Sequence, residues 1–172
     1  MTIIIDDAGM GDLLFGVVIA AYRDSTREFR YDIIDVKNFQ ARLFLRKAYL
    51  KQSSKIVSKL LAEMKPKPEE EIHICRGYIF DDVIEKIKRK YGLDRIHRVK
   101  VIGEAQDLTE IAYLDELRNL GYEPMKDREI KRAKNFFHMM NWLKRNPDML
   151  KYAKTGWPRL QRYKFFKSKK LK

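Results

Sequence analysis

The chain has 172 residues, 45% of them hydrophobic and 35% charged, with 37 Lys/Arg against 24 Asp/Glu for a formal net charge of +13. That balance excludes a disordered polyampholyte, and the longest apolar stretch, 13–22, is too short to cross a bilayer. A lone cysteine, Cys75, excludes an internal disulfide framework; with no basic, signal-like start, a cytoplasmic, reducing location and no membrane partner are expected.

The first apolar run, 2–6, is β-branched and predicts a strand that closes on Asp6-Asp7. Gly9 and Gly11 mark a turn, 13–22 predicts a second strand buried on both faces, and 28–36 a third, partly exposed one. Connections this short imply an antiparallel meander. A long helix is expected over 40–64, with Leu43, Leu50, Val57 and Met64 repeating every seven residues and Lys47, Lys51, Lys55 and Lys59 along one flank. Lys65-Pro66-Lys67-Pro68 stops it. A fourth strand spans 71–75. Asp82 to Glu85 has capping-box spacing and opens a helix that Gly92 ends. A fifth strand at 98–102 and a helix at 107–120, closed by Gly121, complete the order βββαβαβα. Strands four and five each follow a helix and are therefore expected to run parallel to the first.

The remainder, 122–172, differs in character. Residues 126–172 hold 16 Lys/Arg and three acids, so they carry the entire surplus, and residues 1–125 are neutral. An amphipathic helix is expected over 127–145 with Ile130, Ala133, Phe137, Met140 and Leu143 on its apolar face. A short helix follows from 147 to 155, then a basic extension whose last residues, 167–172, are expected to be disordered. Eight aromatics interleave with the charges. Cations neutralise phosphates and flat rings stack on bases, so nucleic acid is the expected partner, held by Lys131, Arg132, Lys134, Lys144, Arg145, Trp157, Arg159 and Arg162. The organisation read from this is an α/β domain over 1–121 and a basic, aromatic-rich helical extension over 122–172.

Paired acids at a strand end beside a glycine turn suit a hard divalent cation such as Mg²⁺ or Mn²⁺. Asp6 and Asp7 are the first candidates. Glu104, Asp107 and Glu110 follow the fifth strand, and parallel strand ends converge on one sheet edge. His73, His97 and His138 read as structural histidines, and Cys75 as a buried, inert thiol.

The strand order and the segment Asp6-Asp7-Ala8-Gly9-Met10-Gly11 resemble the ribonuclease H-like superfamily, most closely ribonuclease HII and its Asp-Glu-Ala-Gly-Arg-Gly signature. Val17–Ala21 is similar to that family's second strand, Ala105-Gln106-Asp107 to its Ala-Asp-Asp, and Gly156-Trp157 to its C-terminal Gly-Trp. The resemblance implies an α/β fold with a mixed five-stranded sheet. It also implies a hydrolase that cleaves RNA within RNA–DNA hybrids using divalent metal, with Asp6, Asp7 and Glu104 or Asp107 as catalytic and metal-binding acids. Three positions depart from the pattern: Met10 stands for the arginine, Gln106 for an acid, and Arg76-Gly77 follows the fourth strand where another carboxylate belongs. An alternative expectation is therefore a non-catalytic nucleic-acid-binding or scaffold module on the same fold. The glycine turn also resembles that of sugar kinases and actin-like ATPases, which are normally much longer chains. Protein partnering through the tail's apolar face is a further reading.

Overall fold

The computed structural model describes residues 1–167. Its core is a mixed sheet of order β3-β2-β1-β4-β5, built from β1 (Thr2–Ala8), β2 (Val17–Arg23), β3 (Glu28–Ile34), β4 (Glu71–Cys75) and β5 (Ile96–Val99). β1, β2 and β3 form the expected antiparallel meander, and β4 pairs parallel to both β1 and β5. The fold is α/β, with the mixed five-stranded sheet that the sequence leads one to expect.

Period-two alternation along β1 divides the two layers. Ile3 and Ile5 share one core with α2 (Ala48–Met64) and α3 (Asp81–Tyr91). Ile4, Asp6 and Ala8 occupy alternate positions and meet the other layer, where α4 (Glu104–Asn119) packs on β1 and β2. The second layer is completed by the C-terminal segment. Met139, Met140 and Leu143 of α5 (Arg132–Arg145), with Leu150, Ala153, Trp157, Leu160 and Phe166, share a core with Leu13, Leu14 and Val18. Phe166 lies on α6 (Lys164–Lys167). No helix among the described residues is long and apolar enough to cross a membrane.

Several element bounds shift for local reasons. The helix expected over 40–64 is broken into α1 (Ala41–Leu45) and α2, because Lys47 adopts a left-handed conformation at φ 52°. Leu43 falls before that break and is 41% exposed, so the seven-residue repeat does not extend through it. β1 runs two residues further than expected and carries both Asp6 and Asp7 within the strand. Residues 13–16 are not strand: Leu14 makes only an isolated bridge to Ala153. The capping box is not made, since Phe80 is the N-cap of α3 without a side-chain bond, and Asp81 and Asp82 sit in the first turn, where the helix dipole favours acids. α5 starts at Arg132 rather than 127, and its buried side is Asn135, Met139, Met140 and Leu143. Ile130 is 87% and Phe137 44% exposed; the face is rotated because Asn135 is drawn inward by Asp12. Residues 147–152 and 158–162 form 3-10 turns. Of the tail expected to be disordered, Lys167 ends α6 and 168–172 lie outside the described residues.

Candidate metal centre and adjoining basic groove

The C-terminal end of β1, the central strand, brings Asp6 and Asp7 beside Cys75 at the end of β4. One ligand atom of each lies within 4.8 Å of the others. Asp6 is 6% exposed and Asp7 half-buried. Burial raises the Asp6 carboxyl above its ordinary range, opposed by the Asp7 backbone and the Cys75 thiol; the charge of Glu129 raises it further. Burial, reinforced by the adjacent Asp6, pushes the Asp7 carboxyl up to about 7 against the opposing charge of Lys154. Two acids that resist ionisation side by side are in the condition a bound dication relieves. Cys75 is half-buried rather than fully buried, and burial together with the two carboxylates pushes its thiol up to about 11.

The turn after β1 is held from beneath. Gly9 has φ +91°, and an added Cβ would lie 2.3 Å from Cε2 of Tyr113. The Tyr113 hydroxyl donates to Leu14 O at 2.9 Å, fixing the ring in place. Lys154 is fully buried and its Nζ donates to Gly9 O at 2.6 Å and Asp12 O at 2.7 Å. Burial lowers its amine to about 7, Arg128 adding to this and the Asp12 and Asp7 charges opposing it. Gly9→Ala is therefore expected to destabilise the protein by roughly 2–4 kcal/mol, since both the backbone angle and the buried ring forbid the methyl group. Chemical denaturation measures this, and a shift under about 1 kcal/mol would mean that the ring can move aside.

On the outer side of the turn, Arg128 is 7% exposed. It bonds Asp12 Oδ2 at 2.5 Å, pairs with Glu110, and lies 3.7 Å from Glu129. Asn135 donates to the other Asp12 oxygen at 2.9 Å. A pocket of about 300 Å³ opens here, lined by Asp7, Gly11, Glu110, Arg128, Glu129 and Arg132 among others. A second pocket, about 380 Å³, shares Gly11, Arg132 and Phe136 with it and adds Phe137, Arg159 and Tyr163. The two share residues and run from Asp7 across the glycine turn to the basic, aromatic surface of α5; Asp6 does not line either.

The other sequence candidates fall in different places. Glu104 opens α4 and is tied to Tyr22 Oη at 2.6 Å and to Arg27, whose guanidinium lowers its carboxyl. Asp107 is exposed in the same first turn; neither joins the Asp6–Asp7–Cys75 group. Glu110 is neutralised by Arg128. Arg76 is exposed after β4. Gly77 behind it passes so close that a Cβ would sit 3.1 Å from Asp7 Oδ1. Of the expected phosphate-binding set, Arg132 and Arg159 line the groove. Lys134, Lys144, Arg145 and Arg162 are exposed, and Lys131 pairs with Asp127 at 2.7 Å. Trp157 is buried, with the Arg159 guanidinium 4.3 Å above its ring, so it packs the core and offers no free face for a base. His138 is hydrogen-bonded with Tyr122 at 2.7 Å.

Sequence reasoning passed over Arg128, Lys154, Tyr113 and Glu129. Lys154 is one of 16 cations in the tail. Its one distinguishing signal is its position between Ala153 and Gly156-Trp157 in a locally uncharged stretch.

No protein-family model, no curated protein and no solved structure matches this chain.

Proposed function

We propose that the protein is a divalent-metal-dependent nuclease of the ribonuclease H-like type, acting on RNA or an RNA–DNA hybrid. The observation that carries this reading is the Asp6–Asp7 pair at the end of the central strand, whose carboxylate oxygens lie within 4.8 Å of one another, with Asp7 pushed up to about 7 by burial and the charge of Asp6. Asp7 opens into a groove walled by Arg132, Arg159, Phe137 and Tyr163.

The donor set fits one hard dication. Two carboxylate oxygens suit Mg²⁺ or Mn²⁺, whereas the protonated Cys75 thiol is a poor ligand for Mg²⁺. A second ion would need the carboxylate that the end of β4 does not supply. When bound by Asp6 and Asp7, the ion would supply the charge that polarises a phosphoryl oxygen. The chain's own residues do the rest. Arg132 and Arg159 bind backbone phosphates, and Phe137 and Tyr163 offer ring faces to unpaired bases. Lys154 and Tyr113 hold the turn rigid so that Gly11 lets a backbone approach. Mn²⁺ is expected to support more cleavage than Mg²⁺, because a site with few ligands holds it better.

Because the tail completes a core, substitution rather than truncation tests the groove. The Arg132→Ala/Arg159→Ala variant is expected to bind hybrid on the order of tenfold more weakly at low salt. Its salt slope should fall by roughly 0.7–0.9 for each phosphate that is no longer neutralised. Filter binding across a salt series measures both, and an unchanged slope would remove the groove from the reading.

The second reading is a non-catalytic nucleic-acid-binding module. The thiol at the end of β4 and the engagement of Glu104 by Arg27 favour it. Purified protein that binds hybrid, RNA or DNA but cleaves none of them with either metal would establish this second reading and end the first.

A further inference from the structure

A different cluster lies on the other half of the sheet. β4 and β5 run parallel with His73 opposite His97. Ile72, Ile74 and Ile96 point into the core beneath α2 and α3. Alternation therefore places Glu71, His73 and His97 together on the opposite face. α4 packs on that face mainly over β1 and β2; Cys75 and Val99 at the C-terminal ends of β4 and β5 are packed beneath it, while the part at Glu71, His73 and His97 stays open to solvent. Glu71 and His97 are exposed, and the His73 side chain is 30% exposed.

We propose that Glu71, His73 and His97 bind a borderline transition-metal dication, with Zn²⁺ as the representative ion. One ligand atom from each residue lies within 4.8 Å of the other two. His73 Nε2 is already 2.9 Å from Glu71 Oε2, and the two imidazoles meet edge to face with centroids 5.4 Å apart. Ligands at about 2.0–2.2 Å from a tetrahedral ion are roughly 3.3–3.6 Å from one another. Closing from the observed spacing takes small side-chain rotations, which exposed residues make without disturbing the strands. The His97 ring touches His73 but makes no hydrogen bond among the described residues, so its nitrogens are open for coordination.

The donor chemistry separates this cluster from the carboxylate pair. Two imidazoles and one carboxylate favour Zn²⁺, Ni²⁺ or Cu²⁺ over Mg²⁺ or Ca²⁺. Three protein ligands leave a tetrahedral ion one open position, filled by water or by a donor from another molecule. The backbone fixes the placement: i and i+2 on one strand with the cross-strand neighbour of i+2 on the next. The site does not depend on the nuclease reading, since none of its residues lies in the groove or at the Asp6–Asp7 pair.

Calorimetric titration of the full chain with ZnCl₂ in excess Mg²⁺ tests this, using the Asp7→Asn/Cys75→Ser background to silence the other cluster. One equivalent of zinc with micromolar affinity is expected there. His97→Ala and His73→Ala should each weaken it at least about tenfold, and Glu71→Gln should do so to a smaller extent. Circular dichroism should show the folded spectrum throughout, since His97 and Glu71 are surface residues. X-ray absorption at the zinc edge should report two imidazole nitrogens with oxygen completing the shell. Zinc uptake unchanged by either histidine substitution, a shell with fewer than two imidazole nitrogens in that background, or no uptake up to millimolar zinc would each overturn the proposal.

Discussion

Asp7→Asn is expected to abolish Mn²⁺ uptake at the carboxylate pair and to reduce hybrid cleavage on the order of 100-fold or more, yet to stabilise the metal-free protein at neutral pH. The first two effects follow from removing one of the two carboxylate charges that hold the ion, since the charge a bound ion lends to the transition state is worth several kcal/mol. The third follows from linkage. Burial and Asp6 hold the Asp7 carboxyl at about 7 in the folded chain, against about 3.9 when unfolded. Between those values the folded state keeps a proton that the unfolded state releases, so stability falls as pH rises from about 4 to about 7. Lys154 titrates in the opposite sense. Its amine is lowered to about 7 from an unfolded value near about 10.4, so its contribution rises with pH above 7. Measurements below pH 7 therefore isolate the carboxylates. Melting curves from pH 4 to 7 should show a shallower slope for the variant, and millimolar Mn²⁺ should raise the melting temperature of the wild type alone. A variant that takes up Mn²⁺ normally and keeps the wild-type pH profile would place the metal elsewhere.

Arg128→Met is expected to cost about 3–5 kcal/mol of stability, the largest effect of any single substitution argued from this structure. Arg128 is 7% exposed and faces Asp12, which is 9% exposed, together with Glu110. A methionine fills much of the volume but removes the guanidinium that pairs directly with the Asp12 carboxylate, leaving it the Asn135 amide, the Tyr113 hydroxyl and the more distant charge of Lys154. The loss would therefore come from the stranded charge, not from a cavity. A double-mutant cycle separates the two: Arg128→Met/Asp12→Asn should recover part of the loss, whereas cavity formation would leave the costs additive. The same variant should loosen the entrance to the groove, since Arg128, Glu129 and Arg132 share its wall, and hybrid binding should weaken alongside stability. If Arg128→Met melts within about 1 kcal/mol of the wild type, the ion-pair network is not what fixes this segment.

Much of the sheet was legible because its signals are local. β-branched runs, short turns and two proline- or glycine-terminated helices specify an antiparallel meander followed by crossovers. A crossover helix returns the chain parallel for steric reasons that need no tertiary knowledge. The Asp6-Asp7 pair was legible for the same reason, as its acids are neighbours in sequence. What could not be read were choices made by distant partners. The tail's surplus of 13 charges says that it is basic, but not that its apolar residues close the second layer over Leu13, Leu14 and Val18. Nor does it say that Trp157 is buried while Phe137 is exposed. Helix periodicity offered Phe137 and Ile130 as the inner face of α5. The Asp12–Asn135–Arg128 hydrogen bonds set a different rotation, a polar constraint invisible to an apolar pattern.

The sequence by itself determined the strand and helix order, the parallel and antiparallel sense of the sheet, and the place of the paired acids at the end of its first strand. Tertiary structure alone decided which other groups surround those acids. Glu104 was drawn to Tyr22 and Arg27, Glu110 and Asp12 to Arg128, and Lys154 to the glycine turn from 142 and 145 residues away. The physical reason is that a buried charge must find a partner, and which partner is in reach depends on packing between segments far apart in the chain.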